Sequence, residues 1–220
     1  MTFLELCTTL RQESGIAGAG PTTTSGQSGE LERIVNWVKQ AYVDIQDNNA
    51  SWRFLRATFS FNCTPSVQSY NASSVPLIAN WKPLSIRLYL TTVANEWFID
   101  YVPWEEFRES RLFGTARTQT GRPVECTINP ANELVFWPIP DVAYTVSGEY
   151  FRTAHTFTAD SDTPLFPRFH MCIVFNALKR YASYVSDPSI YAYAQAEYAK
   201  VYARLENEQL EQIKFSGSLA

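Results

Sequence analysis

The stretch FPRFHMCIVFNALKRYASYV, residues 166–185, continues through SDPS at 186–189 into IYAYAQAEYAKVYARLENEQLEQ at 190–212. It reads as two long helices, from about Phe166 to about Gln212, with a tight break at Ser186-Asp187-Pro188-Ser189. The first is apolar almost all the way round. Phe166, Phe169, Ile173 and Ala177 line one face, and Met171, Val174, Phe175, Leu178, Ala182 and Val185 line another. Only Asn176, Lys179, Arg180 and Ser183 form a polar stripe. A helix of this kind is buried or sandwiched between partners. The second helix repeats Tyr191, Ala194, Tyr198, Val201 and Leu205 in alternating steps of three and four, a coiled-coil-like seam. Neither helix carries a catalytic constellation.

Working outward, Phe3, Leu6, Cys7 and Leu10 mark an amphipathic helix from about Thr2 to Ser14. Gly15 to Ser28 follows, rich in Gly, Thr, Ser and Ala with Pro21, and long for a helix-to-helix connection. Gly15, Gly18 and Gly20 are not a phosphate-binding loop, because no strand leads in and no Lys-Ser/Thr follows. Ser28 is placed as an N-cap with Glu30 and Glu32 in the first turn. Leu31, Ile34, Val35, Val38, Ala41, Tyr42 and Ile45 hold helical spacing to about Asn48. From Trp52 the period changes to that of strands: Phe54 to Phe61, Leu84 to Leu90, Glu96 to Val102, Arg122 to Ile128, Glu133 to Trp137 and Tyr144 to Arg152. Pro103, at the first helical position, opens a short helix, Trp104 to Arg108. The expected fold is α+β: a four-helix bundle of two N-terminal and two C-terminal helices, with a central, mostly antiparallel β insertion. The expected divisions are 1–50, 51–153, 154–205 and a C-terminal arm, 206–220.

Charged residues make up 18% of the 220, below the roughly 25% usual for soluble proteins, while aromatics reach 15%. That balance suits a chain that hides surface against partners, or one with a large aromatic core. A net charge of −4 without any run of basic residues argues against gripping phosphates. Cys7, Cys63, Cys126 and Cys172 form no CxxC and read as buried, reduced thiols. Glu5 interrupts Met1 to Ser14, so no signal peptide is expected. No apolar run approaches the ~20 residues of a membrane span.

The chemistry-bearing residues are few. His155 and His170 are the only histidines, and His170 and Cys172, two apart on a helix, diverge rather than share a metal. No GxSxG elbow occurs. The carboxylate pairs Glu105-Glu106 and Asp160/Asp162 read as helix-start and turn groups. No enzymatic activity, metal or cofactor is therefore expected. Trp81, Trp97, Trp104 and Trp137 are either a carbohydrate-stacking platform or packing for a sheet. At the end of the chain the seam runs on to Glu208 and Gln212, which a buried interface would not welcome without partners. Glu206, Glu208 and Glu211 crowd the helix C-terminus against the macrodipole, followed by Lys214, Phe215 and Leu219.

Taken in order, these segments resemble the head-to-tail adaptor (connector) proteins of tailed bacteriophages. The resemblance spans most of the chain. It rests on Phe3-Leu4-Glu5-Leu6, Gly29-Glu30-Leu31-Glu32-Arg33-Ile34-Val35-Asn36-Trp37-Val38 and Trp52-Arg53-Phe54-Leu55. It continues with Trp137-Pro138-Ile139-Pro140, Gly148-Glu149-Tyr150-Phe151 and Pro164-Leu165-Phe166-Pro167-Arg168-Phe169-His170 before the helical hairpin. It implies a structural virion protein, assembled in the host bacterial cytoplasm and placed in the neck at the portal vertex. There it would form a dodecameric homo-oligomer ring that docks on the portal protein and receives downstream tail or neck proteins. DNA would pass through its channel without sequence-specific binding, and no membrane is involved. A neck stopper or tail-completion protein shares this composition, and the alternative from another class is a carbohydrate- or cell-surface-binding module. The resemblance makes Glu206, Glu208, Glu211, Lys214, Phe215 and Leu219 a portal-clasping arm. The loop residues Gly15, Gly18, Gly20, Pro21, Thr22, Thr23, Thr24 and Ser25 are then either a mobile segment that orders against a neighbouring subunit or tail protein, or a solvated connector.

Overall fold

A computed structural model describes residues 1–18, 20–71, 75, 77–90 and 92–211. Among them are five α-helices: α1 (Phe3–Glu13), α2 (Gly29–Asp47), α3 (Trp104–Arg111), α4 (Met171–Val185) and α5 (Pro188–Gln209). The chain divides into two compact units, one of Met1–Leu55 with Ala154 onwards, the other Arg56–Thr153.

In the helical unit, α1 begins with a reciprocal capping box. The Thr2 hydroxyl accepts from the Glu5 amide at 3.3 Å, and the Glu5 carboxylate accepts from the Thr2 amide at 2.9 Å. The next two free amides, Phe3 and Leu4, donate to the carbonyls of Asp162 and Asp160. These bonds satisfy a helix start that would otherwise be orphaned. On α2, Ile34, Val35, Val38, Ala41, Tyr42 and Ile45 are buried, the face expected from their spacing. Ser28 does precede α2, but its hydroxyl caps nothing. Gly29 sits at φ 61°, and the left-handed step carries the serine away from the first-turn amides.

Helix α4 begins at Met171, not Phe166. Pro167 disfavours helical geometry in the residue before it, and Phe169 takes φ 65°. The segment 166–170 is therefore an irregular turn that drops Phe166, fully buried, among Tyr42, Phe54 and His170. Ser186 in the left-handed region ends α4. Asp187 then caps α5, its carboxylate accepting from the Ser189 and Ile190 amides at 2.8 and 3.1 Å with Pro188 in the first turn.

The expected four-helix bundle with a β insertion is not what forms. The described residues hold five helices and ten strands in three sheets, and α4 is the middle layer of the helical unit rather than one wall of a bundle. It packs against α1, α2 and α5, whereas α5 packs extensively on α4 alone among the helices. Cys172, Ile173, Val174, Ala177 and Leu178 are completely buried. A helix apolar on all sides needs cover on all sides, so it takes the centre.

The second unit has strands β1 (Arg56–Asn62), β2 (Ser69–Tyr70), β3 (Ile78–Tyr89), β4 (Trp97–Phe98), β5 (Asp100–Tyr101), β6 (Thr120–Gly121), β7 (Glu125–Ile128), β8 (Leu134–Trp137), β9 (Ile139–Pro140) and β10 (Thr145–Arg152). The sheet orders are β1-β10-β3-β4, β2-β8-β7-β5 and β6-β9. Most pairings are antiparallel, as expected, and two, β5–β7 and β6–β9, are parallel. Phe59, Trp81, Ile86, Leu88, Phe136 and Val146 belong to a core that this unit holds itself.

Strand β3 starts six residues before the expected Leu84 because it runs through Pro83 at a bulge. Lys82 pairs with Glu149 and Arg87 with Ser147, so the residues between crowd against Gly148 alone. The Ser85 hydroxyl fills the broken ladder, donating to the Lys82 carbonyl at 2.7 Å and accepting from the Glu149 amide at 2.8 Å. A Cβ on Gly148 would lie 2.9 Å from the Phe59 ring and 3.4 Å from the Ile86 Cα. Gly148→Ala is therefore expected to cost about 1–3 kcal/mol by overpacking. The cost should appear as a lower urea midpoint at unchanged slope; an unmoved midpoint would show that Phe59 yields freely.

Candidate functional site

Several described residues of the loop between α1 and α2 are tied to the rest of the helical unit. The Arg11 guanidinium donates to the Ala17 and Gly18 carbonyls at 2.5 and 3.4 Å and lies 3.8 Å from Glu30 at the head of α2. Pro21 and Thr24 are buried. The Thr24 amide donates to Asp160 at 2.7 Å, and its hydroxyl donates to the same carboxylate oxygen. Gly20 lies against Thr8, where a Cβ would come within 3.2 Å. Gly15, Gly18, Thr22 and Ser25 are exposed, with Thr23 between. The loop thus offers alternate residues outward from fixed points.

Asp160 and Asp162 organise this end of the helical unit. Asp162 accepts from the Thr158 amide, the Thr158 hydroxyl and the Ala159 amide at 2.6 to 3.0 Å, closing a turn. These bonds hold its carboxyl below the usual range, and the two bonds from Thr24 do the same for Asp160. Asp162 is a turn group, as the sequence suggests, whereas the Asp160 carboxylate ties the turn to the loop between α1 and α2. Asp160→Ala should release the loop without unfolding the unit. Amide exchange at residues 15–28 is expected to quicken roughly tenfold or more while the centre of α4 stays protected. Unchanged exchange in the loop would mean that Arg11 and Pro21 suffice to hold it.

At the other end, Glu206 and Glu208 lie in the last turn of α5 rather than in an extended arm. Gln209 is buried there, and Glu208 pairs with Arg168 across the turn before α4. Glu211 ends the described segment, and Lys214, Phe215 and Leu219 lie outside the described residues.

Reactive groups are enclosed. Burial raises the thiols of Cys7, Cys126 and Cys172 to about 12 and that of Cys63 to about 11, so none is a ready nucleophile. His155 stands edge-on to Tyr42 and Phe157, and its backbone is clasped at both polar atoms by the Gln46 amide. Burial lowers the pKa of the His170 imidazole. No group of three or more His, Cys, Asp or Glu among the described residues is placed to hold a metal. No helix there is long and apolar enough to cross a membrane.

The tryptophans of the β unit are staples. Trp81, Trp97 and Trp137 donate their indole N–H to the carbonyls of Asn132, Pro123 and Ala116 at 3.0, 3.1 and 3.0 Å. Trp81 is buried. Arg122 and Arg111 cover the faces of Trp97 and Trp137 at 3.3 and 4.5 Å, and Trp104 is half-buried at the head of α3. A sugar ring finds no open platform on the three stapled rings.

What stands open is apolar surface of another kind. On the β unit Leu84 is 80% exposed at the bulge, and Leu77, Val93, Phe98 and Phe113 are similarly bare. On the helical unit an open groove of about 570 Å³ runs between α2 and α4, lined by Arg33, Trp37, Arg180, Ser183 and Tyr184. The Arg33 guanidinium stacks 4.4 Å from the Tyr184 ring centre, and Trp37 lies 5.6 Å from the same ring. Beside it, Arg180 bonds Asp44 at 2.6 Å, and Lys179 covers Tyr198 at 3.7 Å. Reading the sequence missed this groove. Its signal was the polar stripe Asn176, Lys179, Arg180 and Ser183 on an otherwise apolar helix.

Buried thiols, capped carboxylates, stapled tryptophans and large uncovered apolar side chains define a protein that works by packing against others. The sequence profile described as SU10 adaptor protein matches residues 1–218, and the chain belongs to that family of phage head-to-tail adaptors. It is a structural bacteriophage protein and a component of the virion. A comparison with curated proteins gives no match.

Proposed function

We propose that this adaptor forms a dodecameric ring below the portal, docking on the portal protein with one side and on downstream tail or neck proteins with the other. The ring surrounds the channel through which DNA leaves the capsid. It assembles in the host cytoplasm and resides in the neck. The observation that carries this reading is the set of large apolar side chains left bare, Leu84 at 80% and Phe113 at 76% exposed above all. Bare apolar side chains of this size suit contacts with partners. A net charge of −4 fits a channel lining along which DNA slides rather than sticks.

The closed interface of such a ring needs a template to set its subunit number. The purified chain is therefore expected to be monomeric or weakly associated alone, and to load in many copies onto the portal. Mass photometry and imaging of the mixture test this, the expected product being a stacked ring. A portal that takes up no copies overturns the reading. Binding only to a preformed portal–adaptor complex would place the chain one tier lower, as a stopper.

A further inference from the structure

We infer that the Arg33–Trp37–Tyr184 groove receives the Glu13–Tyr193 flank of a second copy of this chain, the two patches forming one head-to-tail contact. The inference rests on the ring reading for its setting and on two unbalanced charges for its content.

The first is Arg33. Among the described residues no carboxylate lies within salt-bridge distance of it, and the guanidinium rests on the half-exposed Tyr184 ring. The neighbouring acids are already engaged: Asp44 by Arg180, Glu30 by Arg11, and Asp187 by the amides that open α5. The groove beside it is open, and each wall brings one arginine and one aromatic ring: Arg33 and Trp37 from α2, Arg180 and Tyr184 from α4. An arginine fork over an aromatic ring suits a carboxylate accompanied by a flat apolar group.

The second is Glu13, the last residue of α1. It is exposed and no cation lies within salt-bridge distance among the described residues. It also sits where the helix dipole disfavours negative charge. Its carboxylate hydrogen-bonds the Tyr193 side chain, which is half-exposed and edge-on to Phe175 at 6.1 Å, so it has a neutral partner but no cation. This flank is therefore a carboxylate with a flat aromatic group beside it, the complement of the groove.

The two patches face different ways. Tyr191 lies beside Asp44, Lys179 and Arg180 on the α2 side. Tyr193, two residues and about 200° further round α5, turns to α1. One chain thus carries complementary patches on opposite flanks of its helical unit, the requirement for a heterologous contact that closes into a ring. A two-fold dimer would instead require one patch to complement itself.

The test uses the full chain with and without portal, in four forms: wild type, Arg33→Glu, Glu13→Lys and the double variant. Both positions are exposed, and thermal melts confirm that each variant folds. Each single reversal sets like charges together and is expected to weaken copy-to-copy association at least ~tenfold, seen as fewer copies per portal and as less self-association in sedimentation at high concentration. The double variant restores an opposite pair at every contact and should recover wild-type loading. Single variants that load like wild type overturn the contact, as does a double variant that stays as weak as the singles. If wild type ignores the portal yet self-associates in a way both single reversals abolish, the portal reading fails and the contact stands.

Discussion

Trp52→Ala is expected to cost the helical unit about 3–5 kcal/mol, a large share of the ~5–15 kcal/mol that holds a whole protein folded. The side chain is completely buried. Its indole N–H donates at 2.9 Å to the Ile45 carbonyl in the last turn of α2. One face stacks on Phe54 at 5.3 Å, and its edge meets Tyr202 of α5 at 6.0 Å. Removing the ring opens a cavity where α2 ends and α5 passes, and leaves a buried carbonyl without its donor. Trp52→Phe keeps much of the packing and loses the hydrogen bond, so it should cost more nearly 1–3 kcal/mol. Urea unfolding measures both, and hydrogen exchange should show protection falling in α2 and α5. A loss below ~1 kcal/mol for the alanine variant would mean that the neighbouring rings close the gap.

Two truncations at the C-terminus separate stability from attachment. A chain ending at Glu211 keeps Leu205 and Gln209 buried and Glu208 against Arg168. Its melting temperature is expected to stay within about 2 °C of the full chain. If the 206–220 arm clasps the portal through the part this truncation removes, which holds Lys214, Phe215 and Leu219, affinity for portal falls at least ~tenfold, or about 1.4 kcal/mol. A chain ending at Leu205 strips the turn that covers Leu205 itself and should lose a further 1–2 kcal/mol or so of stability. The exposed Arg168–Glu208 pair contributes little of that; uncovering the apolar end of the seam contributes most. Full portal affinity in the Glu211 truncation would refute the clasp and leave docking to other surfaces.

The sequence carried most of the helices because their signals are local. The Thr2 and Glu5 capping box, the spacing from Ile34 to Ile45, and Asp187-Pro188 at the head of α5 each act within a few residues. So does the turn chemistry of Asp162. Where a long-range partner competes with a local signal, the reading slipped. Ser28 had the right identity, but Gly29 took a left-handed step. Phe166 kept helical spacing with Phe169 and Ile173, but Pro167 and the turn at Phe169 send it sideways into the aromatic cluster. The strand expected from Leu84 starts at Ile78, because Ser85 and Gly148 accommodate Pro83 in a bulge that no periodicity announces. The two-residue strands β2, β6 and β9 exist only because a neighbouring strand supplies their partners.

The candidate surfaces divide the same way. Glycines, threonines and Pro21 marked the loop between α1 and α2, but its anchoring depends on Asp160, 136 residues from Thr24. The crowd of glutamates marked the end of α5, but burial of Gln209 and the Arg168 pair keep it helical. By itself the sequence determined the helices, the apolar character of α4 and the membership of an adaptor family. Only the tertiary structure decided that α4 is a middle layer, that the β strands hold a core of their own, and that Arg33 and Glu13 are exposed with no opposite charge in salt-bridge reach among the described residues. Hydrogen bonds between near neighbours are written in the order of residues. Which face is covered, and which charge is left without a partner, depends on every element that packs nearby.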